Sequence, residues 1–373
     1  MRWTPLWGLA VTCLPLCLLL RAAERWEMQY FYDKNDSSLS FIDLQFPSPQ
    51  RGIALGFITE GRRRKPVVAL TADGGRAWDL QALKEPGFSL FFLDETTGWL
   101  VGQKNRLWKT TDGGRTWASV ELRDVRAQPI RLFFLDQSRG WLLCNQKQVY
   151  STEDGGRSWR LLDVSRKPDV PDANTVYTWA AFFQREIGLL TGWSREPDRQ
   201  SILPEWMQPD LIPLGRNPTI GIVLTTSDGG RNWKFSLLRQ FGEIVRVRIS
   251  RTGVALMLVR HPDSFSLGSE IVALDIKALR GGPAYADKNR FLTDIAFAGP
   301  DRAFAVAIDQ EGRTPFPAIP AKLRVLQSTD TRRWTEMEVD YRAEARQAVL
   351  AVADSQHAWL ATDTGMILKL ASE

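Results

Sequence analysis

From residue 88 the chain alternates short apolar runs with polar turns in a fixed order. FSLFFL at 88–93 is followed by a turn, then Trp99–Val101, then Leu107–Thr110, then a segment opening at Trp117. The stretch 130–164 (IRLFFLDQSRGWLLCNQKQVYSTEDGGRSWRLLDV) lies over 88–122 (FSLFFLDETTGWLVGQKNRLWKTTDGGRTWASVEL) almost without gaps. Short apolar runs bounded by Gly and polar turns are strand signals, so each unit reads as four strands. Four strands in about 40 residues, repeated, predict a β-propeller blade.

The same template extends along the chain with longer loops. Blades are expected at about 41–83, 88–122, 130–164, 178–238 (with an insertion at 194–218), 243–288, 291–341 and 346–373. The last stretch offers only three strands, while Glu27–Tyr32 (EMQYFY) is left over at the other end. Pairing these two segments would close the ring and remove open strand edges. The expected fold is therefore all-β: a seven-bladed β-propeller of four-stranded antiparallel blades, one domain over 27–373, closed by an N-terminal strand. Six and eight blades are the neighbouring counts.

One phrase recurs between third and fourth strands: TADGGRAW (71–78), TTDGGRTW (110–117), TEDGGRSW (152–159), TSDGGRNW (226–233) and a degraded STDTRRW ending at Trp334. Paired glycines allow positive φ where the chain must reverse. The preceding Asp can accept the turn's own N–H groups, and the Thr two residues earlier offers a hydroxyl within reach. The Trp is expected to bury its ring against the next blade. Every part has local work, and one active site does not need four copies. Asp73, Gly75, Trp78, Asp112, Gly114, Trp117, Asp154, Gly156, Trp159, Asp228, Gly230, Trp233, Asp330 and Trp334 are accordingly read as structural. Trp99 and Trp141, each after a Gly at the head of a second strand, read as blade packing.

T-x-D-x-G-x-x-W at Thr110, Asp112, Gly114 and Trp117 resembles the Asp-box, or bacterial neuraminidase repeat, of sialidases, sortilin-type receptors and other propellers. In those families the box is a structural hairpin away from the active site. The fuller phrase GWLVG…LWKTTDGGRTW resembles the photosystem II assembly and stability factor family, well over roughly 40–240 and weakly beyond. That resemblance implies a non-catalytic scaffold with a basic patch, whose client is a membrane protein or a membrane-complex subunit.

The first 23 residues depart from the pattern. Arg2, an apolar run from Trp3 to Leu20 and the exit Arg21-Ala22-Ala23 form a secretory signal or an uncleaved membrane anchor, and imply an extracytoplasmic protein. The formal charge of +5 falls to +3 without Arg2 and Arg21, too mild to imply nucleic acid. Cys144 is the one cysteine outside the leader, so no intramolecular disulfide can form there. Two histidines, His261 and His357, leave no basis for a histidine metal cluster or a Ser/His/Asp triad, and no cofactor or metal is expected.

Turns between second and third strands would lie on the face opposite the boxes, and their lengths differ. TEGRRRKP (59–66) and the Pro-rich insertion 194–218 would flank a low notch over blades two and three. Long loops on a rigid scaffold are where binding usually resides. Arg62, Arg63, Arg64 and Lys65 on one wall, with Trp206 and Met207 on the other, are the candidate partner-binding residues. The basic run would pair with acidic groups of a protein or with an anionic membrane surface; the blander reading is a solvated loop. A monomer is expected.

The rival class is a sialidase-like glycoside hydrolase or glycan-binding propeller. Such enzymes need an arginine triad and a tyrosine nucleophile backed by a glutamate. An Arg-Ile-Pro phrase near the start is absent from FPSPQRGIALG, and Tyr341 near Glu344 is a pair that chance spacing supplies. The preferred reading is an exported, non-catalytic, protein-binding propeller.

Overall fold

The computed structural model describes residues 24–195, 219–239, 242–261, 267–278, 280–300, 302–310 and 321–372. The leader with its cysteines, Trp206 and Met207 lie outside them. Strand β1 (Glu24–Phe31) comes first. Unit one holds β2 to β5 (Ser37–Gln45, Gly52–Glu60, Arg63–Thr71, Asp79–Ala82) and unit two β6 to β9 (Gly87–Phe92, Gly98–Gly102, Leu107–Thr110, Ala118–Val120). Unit three is β10 to β13 (Pro129–Phe134, Gly140–Cys144, Val149–Thr152, Arg160–Leu161); unit four is β14 to β17 (Thr175–Phe183, Ile187–Arg195, Thr219–Thr226, Lys234–Arg239). Unit five is β18 to β21 (Glu243–Ile249, Val254–Arg260, Ser269–Asp275, Arg280–Ala286) and unit six β22 to β25 (Arg290–Phe297, Ala303–Asp309, Leu323–Ser328, Thr335–Val339). Unit seven is β26 to β28 (Ala348–Val352, Ala358–Thr362, Met366–Ser372).

Strands pair antiparallel in chain order within each unit. The first strand of each unit packs on the first strand of the next, and β26 packs on β2. This is the blade arrangement of a β-propeller. Second strands such as Gly98–Gly102, Gly140–Cys144 and Ala358–Thr362 are buried at every residue, because both their faces are covered by neighbouring units. Fourth strands such as Ala118–Val120 face solvent.

The joint between units repeats in aromatic rings. Trp99 stacks on Phe134 of the next unit at 4.1 Å, Trp141 on Phe182 at 4.8 Å, and Trp359 of unit seven on Phe46 of unit one at 3.6 Å. Each of those Phe rings then meets a box tryptophan edge-on: Trp159, Trp233 and Trp78. The box tryptophans therefore sit beside the preceding unit rather than the following one, because the second-strand tryptophan of that unit reaches forward into the same joint. Trp159 is buried, whereas Trp78, Trp117, Trp233 and Trp334 are half-buried.

β1 lies antiparallel to β28, from Glu24 opposite Ser372 to Phe31 opposite Met366. Its other edge pairs in parallel with β25, placing Trp26 opposite Val339. Trp26 is fully buried and donates its indole N–H to Met337 Sδ at 3.4 Å. Arg302 of unit six pairs with Glu24. The first strand is thus held by two units at once.

Six of the seven innermost strands carry one β-bulge each, at Ile42, Phe88, Ile130, Thr178, Val245 and Thr293. A bulge re-aims the residue that follows it. Asp43, Ser89, Arg131, Trp179, Arg246 and Asp294 consequently occupy one equivalent position around the axis.

Candidate functional site

The boxes tie their Thr and Asp side chains into their own turns, while the indole N–H groups of Trp117, Trp159 and Trp334 are buried without a partner among the described residues. Thr110 Oγ1 donates to Asp112 Oδ1 at 2.8 Å and accepts the Gly114 N–H at 2.9 Å. Asp112 Oδ1 also accepts the Thr116 N–H at 2.9 Å, and its Oδ2 accepts the Thr116 hydroxyl at 2.6 Å. The Thr116 hydrogen bonds hold the Asp112 carboxyl down at about 2. The Thr–Asp–backbone geometry recurs at Asp73, Asp154 and Asp228; Ser158 and Asn232 stand in for the Thr116 hydroxyl at the last two, and Ala77 leaves Asp73 without that bond. In the degraded copy Thr331 takes φ +60° where glycine stands elsewhere, and Asp330 accepts the Arg332 and Arg333 N–H groups. The second glycine of each pair, including Gly75, Gly114, Gly156 and Gly230, has φ between 84° and 91°. The first glycine's N–H closes onto the turn between first and second strands, from Gly74, Gly113, Gly155 and Gly229 to Gln50, Thr96, Ser138 and Glu186. Boxes and those turns therefore share one face.

On the opposite face, 59–66 is not a tall loop. β3 and β4 extend into it as a tight hairpin, with Glu60 opposite Arg63, Ile58 opposite Lys65 and a two-residue turn at Gly61-Arg62. Gly61 takes φ +56°, which lets the strands run to the tip. Arg62, Arg63, Arg64 and Lys65 are all exposed. Lys65 meets Glu60 at 2.6 Å, and Arg64 covers the Phe57 ring at 4.5 Å. The hairpin of unit two exposes Lys104 and Arg106, the latter 3.8 Å from Glu85. The structure places the four basic residues together; the insertion carrying Trp206 and Met207 is not described.

A second constellation lies on the axis, where sequence reading saw only apolar strands. The Trp179 ring, buried, is covered by three guanidiniums: Arg131 at 3.9 Å, Arg248 at 4.3 Å and Arg246 at 4.5 Å. Two buried carboxylates flank them. Asp43 stands 3.7 Å from Arg131, and Asp294 stands 3.1 Å from Arg246 and 3.9 Å from Arg248. Each Asp is anchored alike: Asp43 accepts the N–H groups of Leu44 and of Leu90 in the next unit, Asp294 those of Ile295 and of Leu350. Burial pulls Arg131 down to about 9 and Arg248 to about 10, against the pull of the two carboxylates, so both remain cations at neutral pH. A cavity of about 380 Å³ adjoins the cluster, lined by innermost strands of all seven units. Its walls, including Gln45, Phe91, Phe133, Phe182 and Phe297, come from beyond the bulges, so it lies toward the box face. The missed signal was a charged residue or Trp set mid-run in first strands: FID, IRLFF, YTWAA, RVRI and TDIAF.

Tyr341 and Glu344 are exposed on the link between units six and seven, away from this cavity. Among the described residues no group of His, Cys, Asp and Glu is arranged to hold a metal. Cys144 is buried, and burial pushes its thiol up.

Residues 21–198 match the family model described as photosynthesis system II assembly factor YCF48. The first half of this chain is photosystem II assembly factor-like. A solved structure of YCF48 bound to a D1 peptide aligns with a TM-score of 0.59 and 17% identity, covering 92% of this chain and 99% of that one. YCF48 from Cyanidioschyzon merolae aligns at 0.58 with 16% identity, covering 94% and 99%. These likenesses establish a shared propeller fold. A GH74 enzyme from Niastella koreensis aligns at only 0.39 with 11% identity, too remote to bear on activity. No curated protein matches the sequence. The family match takes in units one to three and β14–β15, hence the basic hairpin, Arg131 and Trp179, while Arg246, Arg248 and Asp294 lie beyond it.

Proposed function

We propose that this chain is an exported, non-catalytic propeller of seven blades, its ring closed by β1, that docks a protein client belonging to a membrane complex. The observation that carries this reading is the basic hairpin. Four consecutive exposed cations stand at the tip of a rigid two-strand projection, and one of them is offset by an ion pair. Flexible loops lose much order on binding, whereas a hairpin continuous with a blade presents its charges preorganised. The unit-two hairpin adds the exposed Lys104 on the same side of the ring. Acidic side chains of a client complement it, and charge of this kind raises association rates more than it deepens affinity. The assembly-factor likeness of residues 21–198 supports the client's being a membrane-complex subunit. Residues 1–23, as signal or anchor, place the scaffold outside the cytoplasm beside such a client.

The boxes and the glycines and tryptophans in them hold blades together in this reading and touch no client. Crosslinking and capture from native membranes tests it. Recovery of a defined membrane complex, lost when Arg62, Arg63, Arg64 and Lys65 are all replaced by Ser, is the expected result. Binding to anionic vesicles without any protein client would move the hairpin's role to the lipid surface, and hydrolysis of a sialoside by the purified protein would overturn the non-catalytic reading.

A further inference from the structure

The three arginines around Trp179 have a donor surplus. Each guanidinium carries five N–H groups, and among the described residues none of these three makes a hydrogen bond of normal geometry to a protein acceptor. Their contacts are with the indole face and with two carboxylates at 3.1 to 3.9 Å. Those carboxylates are already engaged with backbone N–H groups. Three cations against two anions leave one positive charge, with the cavity of about 380 Å³ beside it. These donors stand beside the cavity, their side chains 12 to 26% exposed, and a charge-assisted pair with a carboxylate is the strongest contact such donors can make.

We propose that the channel is a seat for a single carboxylate, entered from the box side, and that Trp179 is its positioning residue. Like charges repel, so three guanidiniums converge only where something holds them. The indole supplies a shared negative π surface within 3.9 to 4.5 Å of all three. Asp43 and Asp294 fix the two flanks, and the bulges bring Arg131, Trp179 and Arg246 to one level. Arg248, two residues along β18 from Arg246, reaches the same ring and has its side chain 26% exposed, the most open of the three. It is the group that meets the ligand first. The net charge of the cluster matches a monoanion and not a dianion. This seat and the basic hairpin lie toward opposite ends of the propeller, so the two stand or fall separately.

The test is a titration of the purified full chain with acetate, read from the arginine Nε–H resonances at constant ionic strength with chloride as the reference. Saturable shifts with acetate, and weaker binding of hydrogen phosphate, are expected; a chloride-like response, or phosphate binding more tightly than acetate, overturns the proposal. Trp179→Leu is expected to weaken acetate at least tenfold, with Trp179→Phe within about threefold of the parent because it keeps an aromatic face. Should Trp179→Leu not fold, Arg248→Gln decides: loss of acetate binding with an unchanged melting temperature supports the seat, and retained binding overturns it. A peptide with one Glu and an amidated end, set against a Glu-free peptide with a free end, shows whether the carboxylate comes from a side chain or a chain terminus. The four-Ser hairpin variant leaves acetate binding unchanged, which separates failure of this proposal from failure of the docking surface.

Discussion

Two positions recur around this ring, and they behave in opposite ways. Between third and fourth strands the same residues return in four units: Thr, Asp, Gly, Gly, Arg and Trp. After the bulge of six innermost strands stand four different residue types: Asp43 and Asp294, Ser89, Arg131 and Arg246, and Trp179. The first position ties its Thr and Asp side chains into its own turn and its first glycine into a turn of the same unit. The second reaches across the axis, so its meaning depends on what the other units place beside it. Repetition here records a local device that four units share, and variation records what the assembled ring holds once.

The comparison is sharpest at the joints, where the largest effects are expected. Trp26→Ala removes a fully buried ring from the strand shared by units six and seven, and should cost about 3–5 kcal/mol, measured by denaturant unfolding. A loss under about 1 kcal/mol would mean that β1 does not hold the ring. Gly114→Ala should cost about 1–3 kcal/mol, because φ is +91° and the added Cβ would meet Leu70 Cδ2 at 3.2 Å. Asp112→Ala should cost about 0.5–1.5 kcal/mol by removing its hydrogen bonds to Thr110 and to the exposed Thr116, whose donors water takes over.

The box carboxyls also carry a pH signature. Their folded pKa values lie below the ordinary value of 3.8, at about 2 for Asp112 and Asp228. A depressed carboxyl binds its proton more readily in the unfolded chain, so its stabilisation is full above about pH 4 and fades as pH falls toward 2. Melting temperature should therefore drop across that window, and Asp112→Asn should flatten part of the drop. Smallest of all should be the stability effect of the four-Ser hairpin variant, within about 0.5 kcal/mol, since its residues are exposed.

How far each position could be read from sequence follows the same division. The all-β propeller class with its four-stranded antiparallel units was legible because the pattern is local and repeated. The hairpin at 59–66 was misjudged as a loop, since polar, charged residues hide the period-two pattern that marks Thr59 to Pro66 as strand. The axial cluster was not legible as a site. Arg131 and Trp179 lie 48 positions apart by their numbers, and only ring closure brings them and Asp294 together. A single charged residue within an apolar first strand was the local trace, and nothing local says that three such residues converge.

The central claim is that the repeated position builds the fold and that binding sits elsewhere. Its most direct test measures client capture from native membranes and melting temperature together, for Asp112→Ala and for the four-Ser variant of Arg62, Arg63, Arg64 and Lys65. The account predicts that Asp112→Ala lowers the melting temperature yet captures the client in proportion to its folded fraction, while the hairpin variant melts like the parent and captures none. Capture lost by the box variant while fully folded, or kept by the hairpin variant, would contradict it.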